Sequence, residues 1–284
     1  MSLLSELNSI SPLVKEYAKD VFQTFGLTKE ELLEQTRCNI YLAHKNTDTS
    51  VKKVVKFYRR CKKSSQRFYN EAAIAKKLKH PNIMIFEEAA SFPKHHALIM
   101  PYCELGALYN MIGKVPIHIS EHYFLQTCSA VKYLHDNFIV HRDIKLDNII
   151  VDANQKIYLI DFDMSCTVSW ESSIVHNAAG TTGYRAPEMV MSPKGSYDGY
   201  KLDVFALGVV LFCLIFEKDV EDLDETSMSY LDMVKTYIWT FPVHFYKNVL
   251  ECMLEPDPKA RWDMRGLIKG LGQASWLAAR VSNL

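Results

Sequence analysis

Within His141-Arg142-Asp143-Ile144-Lys145-Leu146-Asp147-Asn148, a carboxylate, a lysine and a carboxamide share one loop-length stretch. Apolar runs at 133–140 and 149–151 flank it, and a further run at 157–160 leads into Asp161-Phe162-Asp163. Carboxylate and amide oxygens are hard ligands, and a lysine offsets phosphate charge. Acids and an amide so spaced could hold a hydroxyl, take its proton and bind divalent ions around a phosphate chain. The bland alternative is two surface loops rich in acids, and the ordered spacing of both motifs argues against it.

The surrounding chain must place these groups. Its 284 residues suffice for one large domain or two lobes sharing a cleft. Formal net charge is zero, so neither nucleic acid nor an anionic membrane is expected as a bulk partner. The seven cysteines are scattered singly, without Cys-x-x-Cys pairs. That pattern suits a reducing, cytoplasmic setting better than a disulfide framework. There is no basic segment ahead of a long apolar run at the start, so no signal peptide is expected. Residues 209–215 read as a short buried helix, and no apolar stretch approaches the roughly 18 residues of a membrane span.

Taken in order, Ser11-Pro12 reads as a cap and first-turn proline. Leu13, Val14, Tyr17, Ala18, Val21, Phe22 and Phe25 follow at helical spacing, with Gly26 as terminator. This helix would either lay its apolar face on the rest of the chain or bind a partner. Thr28 and Glu31 have the spacing of a capping box, a helix signal. Residues 51–58 and 97–101 read as strands, and 64–79 as a helix carrying Glu71 that His80-Pro81-Asn82-Ile83 breaks. Beyond Glu104 the pattern turns helical, at 120–137, 201–216, 227–240, 244–254 and 264–271.

From about Asn39 to Leu271 these motifs resemble the eukaryotic protein kinases, of the serine/threonine type. The resemblance implies an α+β, bilobal fold. A helical extension over 1–26 would precede a small β-rich lobe with one long helix over 27–101, then a larger helical lobe over 102–284. Asn39-Ile40-Tyr41-Leu42-Ala43 then resembles the second strand of the small lobe rather than a helix. The implied co-substrate is ATP with Mg²⁺, and the implied partner is a protein, as substrate or as regulated target. Lys56 is similar to the lysine that binds the α- and β-phosphates, and Glu71 to its helix partner. Asp143 resembles the base that accepts the substrate hydroxyl proton, and Lys145 the residue that steadies the γ-phosphate. Asn148 and Asp161 resemble the metal ligands. Around adenine the resemblance places Ile40, Val54 and Ile150 against the base and Met100 behind it. Pro101 would offer a carbonyl and Cys103 a backbone N–H. Thr181, within Gly180-Thr181-Thr182-Gly183, would bond Asp143, Glu188 would pair with Arg261, and Asp203 would hold the backbone of the catalytic loop.

The chain departs from the family at three places. Leu33, Gln35 and Cys38 stand where three glycines normally let the backbone approach phosphate, with Arg37 near the loop tip as a substitute charge. Asp163 replaces the glycine after Asp161-Phe162, and Ala75 is small where a larger apolar residue is usual. Three readings therefore stand: an active serine/threonine kinase with a degenerate phosphate loop, a pseudokinase that binds without transferring, and a small-molecule phosphotransferase. Arg142 resembles an arginine that often meets a phosphate on the activation segment, where Ser165, Thr167, Ser169, Ser172 and Ser173 are the available acceptors. The position four before Thr181 is Asn177, so phosphorylation there is not expected.

Overall fold

A computed structural model describes residues 14–18, 20–35, 38–218 and 244–272, and they form two compact units. The first contains the described residues of Met1–Lys79 with Ile83–Glu104 and Asp161–Asp163. The second contains His80–Asn82, Leu105–Ile160 and the described residues from Met164 on.

The first unit is a six-stranded sheet with two helices. Its elements are β1 (Lys15–Glu16), α1 (Val21–Phe25), β2 (Leu27–Gln35), β3 (Asn39–Lys45), β4 (Asp48–Arg59), α2 (Lys62–Ala75), β5 (Glu88–Ser91) and β6 (His95–Pro101), with sheet order β1-β5-β6-β4-β3-β2. Side chains alternate across a strand, so each of β4 and β6 serves two cores. Ala43, Val55, Ala97 and Ile99 meet Val21, Leu27 and Phe92 on one face. Tyr58 and Leu98 meet Phe68 of α2 on the other. Lys56 lies two residues from Tyr58 and therefore on the α2 side.

Two sequence expectations fail here. The long helix through residues 13–25 is not formed over its described part. Lys15–Glu16 pair in parallel with Ala90–Ser91 of β5. Helix starts only at Val21, where the Asp20 carboxylate caps the Phe22 amide at 2.8 Å, and Gly26 ends it at φ 60°. The spaced aromatics Tyr17, Phe22 and Phe25 still reach one core, so their spacing reported burial but not conformation. The capping-box reading of Thr28 and Glu31 also fails. These residues lie in β2, which pairs with β3 from Leu27↔Lys45 to Gln35↔Asn39. Ser11, Pro12, Leu13, Arg37 and the helix expected at 227–240 lie outside the described residues.

The second unit begins with β7 (Gly106–Ala107) and α3 (Ile117–Asp136), then β8 (Ile139–Val140), β9 (Ile149–Val151) and β10 (Ile157–Leu159). There follow β11 (Cys166–Thr167), β12 (Ile174–His176), α4 (Pro187–Met191), β13 (Ser196–Asp198), α5 (Gly199–Phe216), α6 (His244–Met253) and α7 (Met264–Gly272). The loop from His141 to Asn148 joins β8 to the β9–β10 hairpin, so short ladders fix both of its ends. Helix α5 is the core of this unit. It forms where the sequence read a helix at 201–216, but its apolar stretch exceeds the short 209–215 run: with 18 residues and mean hydropathy 2.0 it is, by length and composition, enough to cross a membrane. It is 83% buried inside the protein, as the central helix of a folded unit is. Gly208 lets α5 approach the end of α6 closely, since a Cβ there would lie 3.0 Å from the Met253 Cβ.

Candidate active site

In the first unit, β4 and α2 bring Lys56, Glu71 and Asp161 together. Lys56 Nζ donates to Glu71 Oε2 at 2.9 Å and to Asp161 Oδ1 at 2.8 Å. Lys56 and Glu71 are buried. Burial alone would push the Lys56 ammonium down, but Asp161, Glu71 and Tyr58 outweigh it and hold the group well above the ordinary lysine value. The ammonium is therefore fixed in its charged form. Asp161 has φ 65°, a left-handed conformation that aspartate tolerates better than most residues.

The residues expected around adenine are distributed as follows. Ile40 lies opposite Lys56, and Val54 opposite Met100, so all three share the sheet face that carries Lys56. Pro101 pairs with Lys53 on the other parity, and Cys103 is buried just beyond β6. Ile150 belongs to the second unit, on β9 between Tyr158 and Ala107.

Of the positions that depart from the family, Leu33 is exposed on β2, while the Cys38 side chain turns into the core with Tyr58 and Phe68. Burial pushes the Cys38 thiol up to about 12, against the pull of Lys56, so it stays protonated. Asp163 is buried, with Oδ2 3.8 Å from Arg67 Nε and Oδ1 without a hydrogen-bond partner among the described residues. Burial first, then Asp161, push its carboxyl up to about 7, and Lys56 partly offsets them. Asn70 Nδ2 donates to the carbonyls of Phe162 at 3.3 Å and Asp163 at 3.2 Å, which ties this tripeptide to α2.

In the second unit, the His141–Asn148 loop is held from below by one carboxylate. Asp203 on α5 accepts the His141 amide at 2.8 Å, the Arg142 amide at 2.9 Å and His135 Nε2 at 2.9 Å. These bonds support Arg142 at φ 67°, a strained value for a side-chain-bearing residue. Thr181 Oγ1 donates to Asp143 Oδ1 at 2.8 Å, which orients the candidate base. Gly180 is required beside it, because at φ 90° a Cβ would lie 2.6 Å from the Arg142 carbonyl. Arg142 Nη2 donates to the carbonyls of His176 at 3.1 Å and Asn177 at 2.7 Å. Lys145 is half-buried on the loop, next to the short 3₁₀ turn Leu146–Asn148. Glu188 and Arg261 form the expected pair, bidentate at 2.8 and 2.9 Å.

The donor chemistry suits Mg²⁺. Asn148 spends its amide N–H on the Asp143 carbonyl at 2.8 Å, so its side-chain oxygen is the hard donor. Asp161 supplies a carboxylate whose side chain is 28% exposed, open to a hydrated ion. Among the described residues no three His, Cys, Asp or Glu converge as a metal cage. Asn148 and Asp161 each offer, taken singly, a hard oxygen of the kind Mg²⁺ takes beside waters and phosphate oxygens.

Sequence reasoning missed Tyr58, His96, Asn70 and Arg67. Tyr58 Oη donates to Glu71 Oε2, the oxygen that Lys56 also reaches. His96 bridges Ser65 Oγ and Ser91 Oγ at 3.0 and 2.9 Å and stacks on Phe68. The signal for Tyr58 was present in its spacing, two residues from Lys56 on one strand face.

A model of the protein kinase domain matches residues 36–272. The chain is 32% identical over 209 residues to CBL-interacting serine/threonine-protein kinase 16 of Arabidopsis thaliana, covering 68% of this chain and 44% of that protein. It is 31% identical to the SNF1-related protein kinase catalytic subunit alpha KIN12 of the same plant, over 67% of this chain and 39% of that protein. It is 34% identical to serine/threonine-protein kinase kin-29 of Caenorhabditis elegans, over 74% of this chain and 25% of that protein. The chain thus spans less than half the length of these relatives. With a family match across most of its length, the chain belongs to the eukaryotic protein kinases, of the serine/threonine type.

Proposed function

We propose that the chain transfers the γ-phosphate of ATP to serine or threonine hydroxyls of a protein substrate. The observation that carries this reading is Lys56, buried and charged between Glu71 and Asp161. A lysine so held keeps its ammonium charged and positioned for a phosphate chain, and positioning accounts for much of phosphoryl-transfer catalysis. Asp143, oriented by Thr181, accepts the proton of the attacking hydroxyl, and Lys145 steadies the γ-phosphate. Asp161 and Asn148 would hold Mg²⁺, which when bound neutralises charge on the phosphates. Ile40, Val54, Met100, Pro101, Cys103 and Ile150 would hold the adenine. Relatives described as CBL-interacting suggest a regulatory protein partner here too. A cytoplasmic setting belongs to this proposal on the scattered cysteines of the sequence.

One observation favours a binding module instead: β2 carries Leu33 and Gln35, and Cys38 stands just before β3, where phosphate contact needs glycine. Two measurements separate the readings. The first is thermal stabilisation by ATP with Mg²⁺, in the parent and in Asp161→Asn. The second is transfer of labelled phosphate to a generic protein substrate. Stabilisation that Asp161→Asn abolishes, with transfer, supports the kinase reading. Stabilisation without transfer supports the binding module, and equal stabilisation of parent and variant removes Asp161 from the site.

A further inference from the structure

The Lys56–Glu71 pair has a third member. Tyr58 is fully buried, two residues beyond Lys56 and on the same face of β4. Its hydroxyl donates to the Glu71 oxygen that also accepts from Lys56, and Lys56 Nζ lies 5.1 Å from the centre of its ring. Burial, then the Glu71 charge, push the phenol well above the usual tyrosine value, so it stays a donor. Helix α2 meets the sheet through residues three apart, which share one helix face. Ser65 bonds His96, Phe68 packs on the rings of His96 and Tyr58, and Glu71 takes Lys56 and Tyr58. The Tyr58 hydroxyl is the one neutral donor at the end of this row, next to the ammonium.

We propose that Tyr58 is a positioning residue that holds Glu71, and through it α2 and Lys56, in the phosphate-ready arrangement before any nucleotide arrives. The proposal deepens the kinase reading and rests on Lys56 as the phosphate ligand. A carboxylate held by Lys56 alone can follow α2 away from the sheet once that single bond breaks. Held by a second donor from the same strand, it stays when Lys56 turns toward a phosphate. The chain then supplies from its own core what a partner would otherwise impose on α2.

The test compares the full chain with Tyr58→Phe, which keeps the ring packing and deletes only the donor. Hydrogen exchange without nucleotide is expected to speed up at least about tenfold at the amides of 68–75, since a bond to a charged acceptor is lost, while the amides of α5 are unchanged. ATP with Mg²⁺ is expected to bind about tenfold more weakly, and in transfer assays KM for ATP is expected to rise more than kcat falls. Unchanged α2 exchange in Tyr58→Phe overturns the proposal, as does equal acceleration in α5, which marks a general loss of stability. Failure of the parent to bind ATP sinks the kinase reading instead, and the exchange comparison still decides the role of Tyr58.

Discussion

Replacing Glu188 with alanine should destabilise the second unit far more than an ordinary surface carboxylate would. Arg261 beneath it has a fully buried side chain, and all five of its N–H donors are used. Two go to Glu188, while Nε reaches the Glu255 carbonyl at 2.8 Å, Nη1 that of Lys201 at 3.0 Å and Nη2 that of Pro256 at 3.2 Å. The guanidinium also lies 5.0 Å from the Phe205 ring. Glu188→Ala removes two charge-assisted bonds and the only counter-charge among those partners, and the three carbonyls keep the cation where it is. Breaking a buried pair from one side costs about 3–5 kcal/mol, a large part of the roughly 5–15 kcal/mol that holds a domain. The described tryptophans, Trp170 and Trp262, belong to the second unit, so fluorescence-detected urea unfolding reports on it. A second arm replaces both residues, Glu188→Ala with Arg261→Met, and should recover part of the loss because no charge is left stranded. A Glu188→Ala cost below about 1 kcal/mol, or a double variant worse than the sum of the singles, would refute the reasoning.

Three further outcomes are expected. Burial, Arg60 and His95 hold His96 down at about 4 against an ordinary 6.5, so between these values the unfolded chain binds the extra proton. Stability should therefore be full above pH 6.5 and fall as pH drops toward 4, with a slope approaching 1.4 kcal/mol per pH unit, and unfolding of His96→Gln should lack that component. Arg142 already spends Nη2 on two backbone carbonyls of the activation segment, so phosphatase-treated protein should keep its transfer activity; mass spectrometry showing an essential phosphate at Thr182 would contradict this. By the family resemblance Ala107 and the buried Cys213 take places where arginine-selective kinases often carry acids, so a peptide array should show no strong choice of arginine two or three residues before the acceptor.

The sequence was most legible where side-chain type alone dictates the contact. Asp203 beneath the catalytic loop, Thr181 on Asp143 and Glu188 with Arg261 were each expected from residue identity and order, and each contact forms within the second unit. It was least legible where a sheet edge decided the outcome. The spacing of Tyr17, Val21, Phe22 and Phe25 fits a helix, yet the open edge of β5 takes Lys15–Glu16 as a strand. Likewise β3 claims residues whose capping-box spacing argued for helix. Local pattern reports which residues are buried, but the neighbouring strand that satisfies a backbone lies elsewhere in the chain.

The departures from the family were readable as residues but not as consequences. Leu33, Gln35, Cys38, Ala75 and Asp163 all belong to the first unit. That unit also holds the contacts missed by sequence reasoning: Tyr58 on Glu71, His96 between Ser65 and Ser91, Asn70 on the carbonyls of Phe162 and Asp163, and Arg67 beside Asp163. Rules broken at a functional site are commonly offset by nearby contacts. Here every one of those extra contacts involves α2, the helix that carries Glu71, or a strand packed against it. A hairpin without glycines has less freedom to close its backbone over a phosphate chain, so on the kinase reading phosphate contact would rest more heavily on the Lys56 ammonium. Fixing that ammonium through Glu71, and Glu71 through Tyr58, is the compensation that such a hairpin calls for.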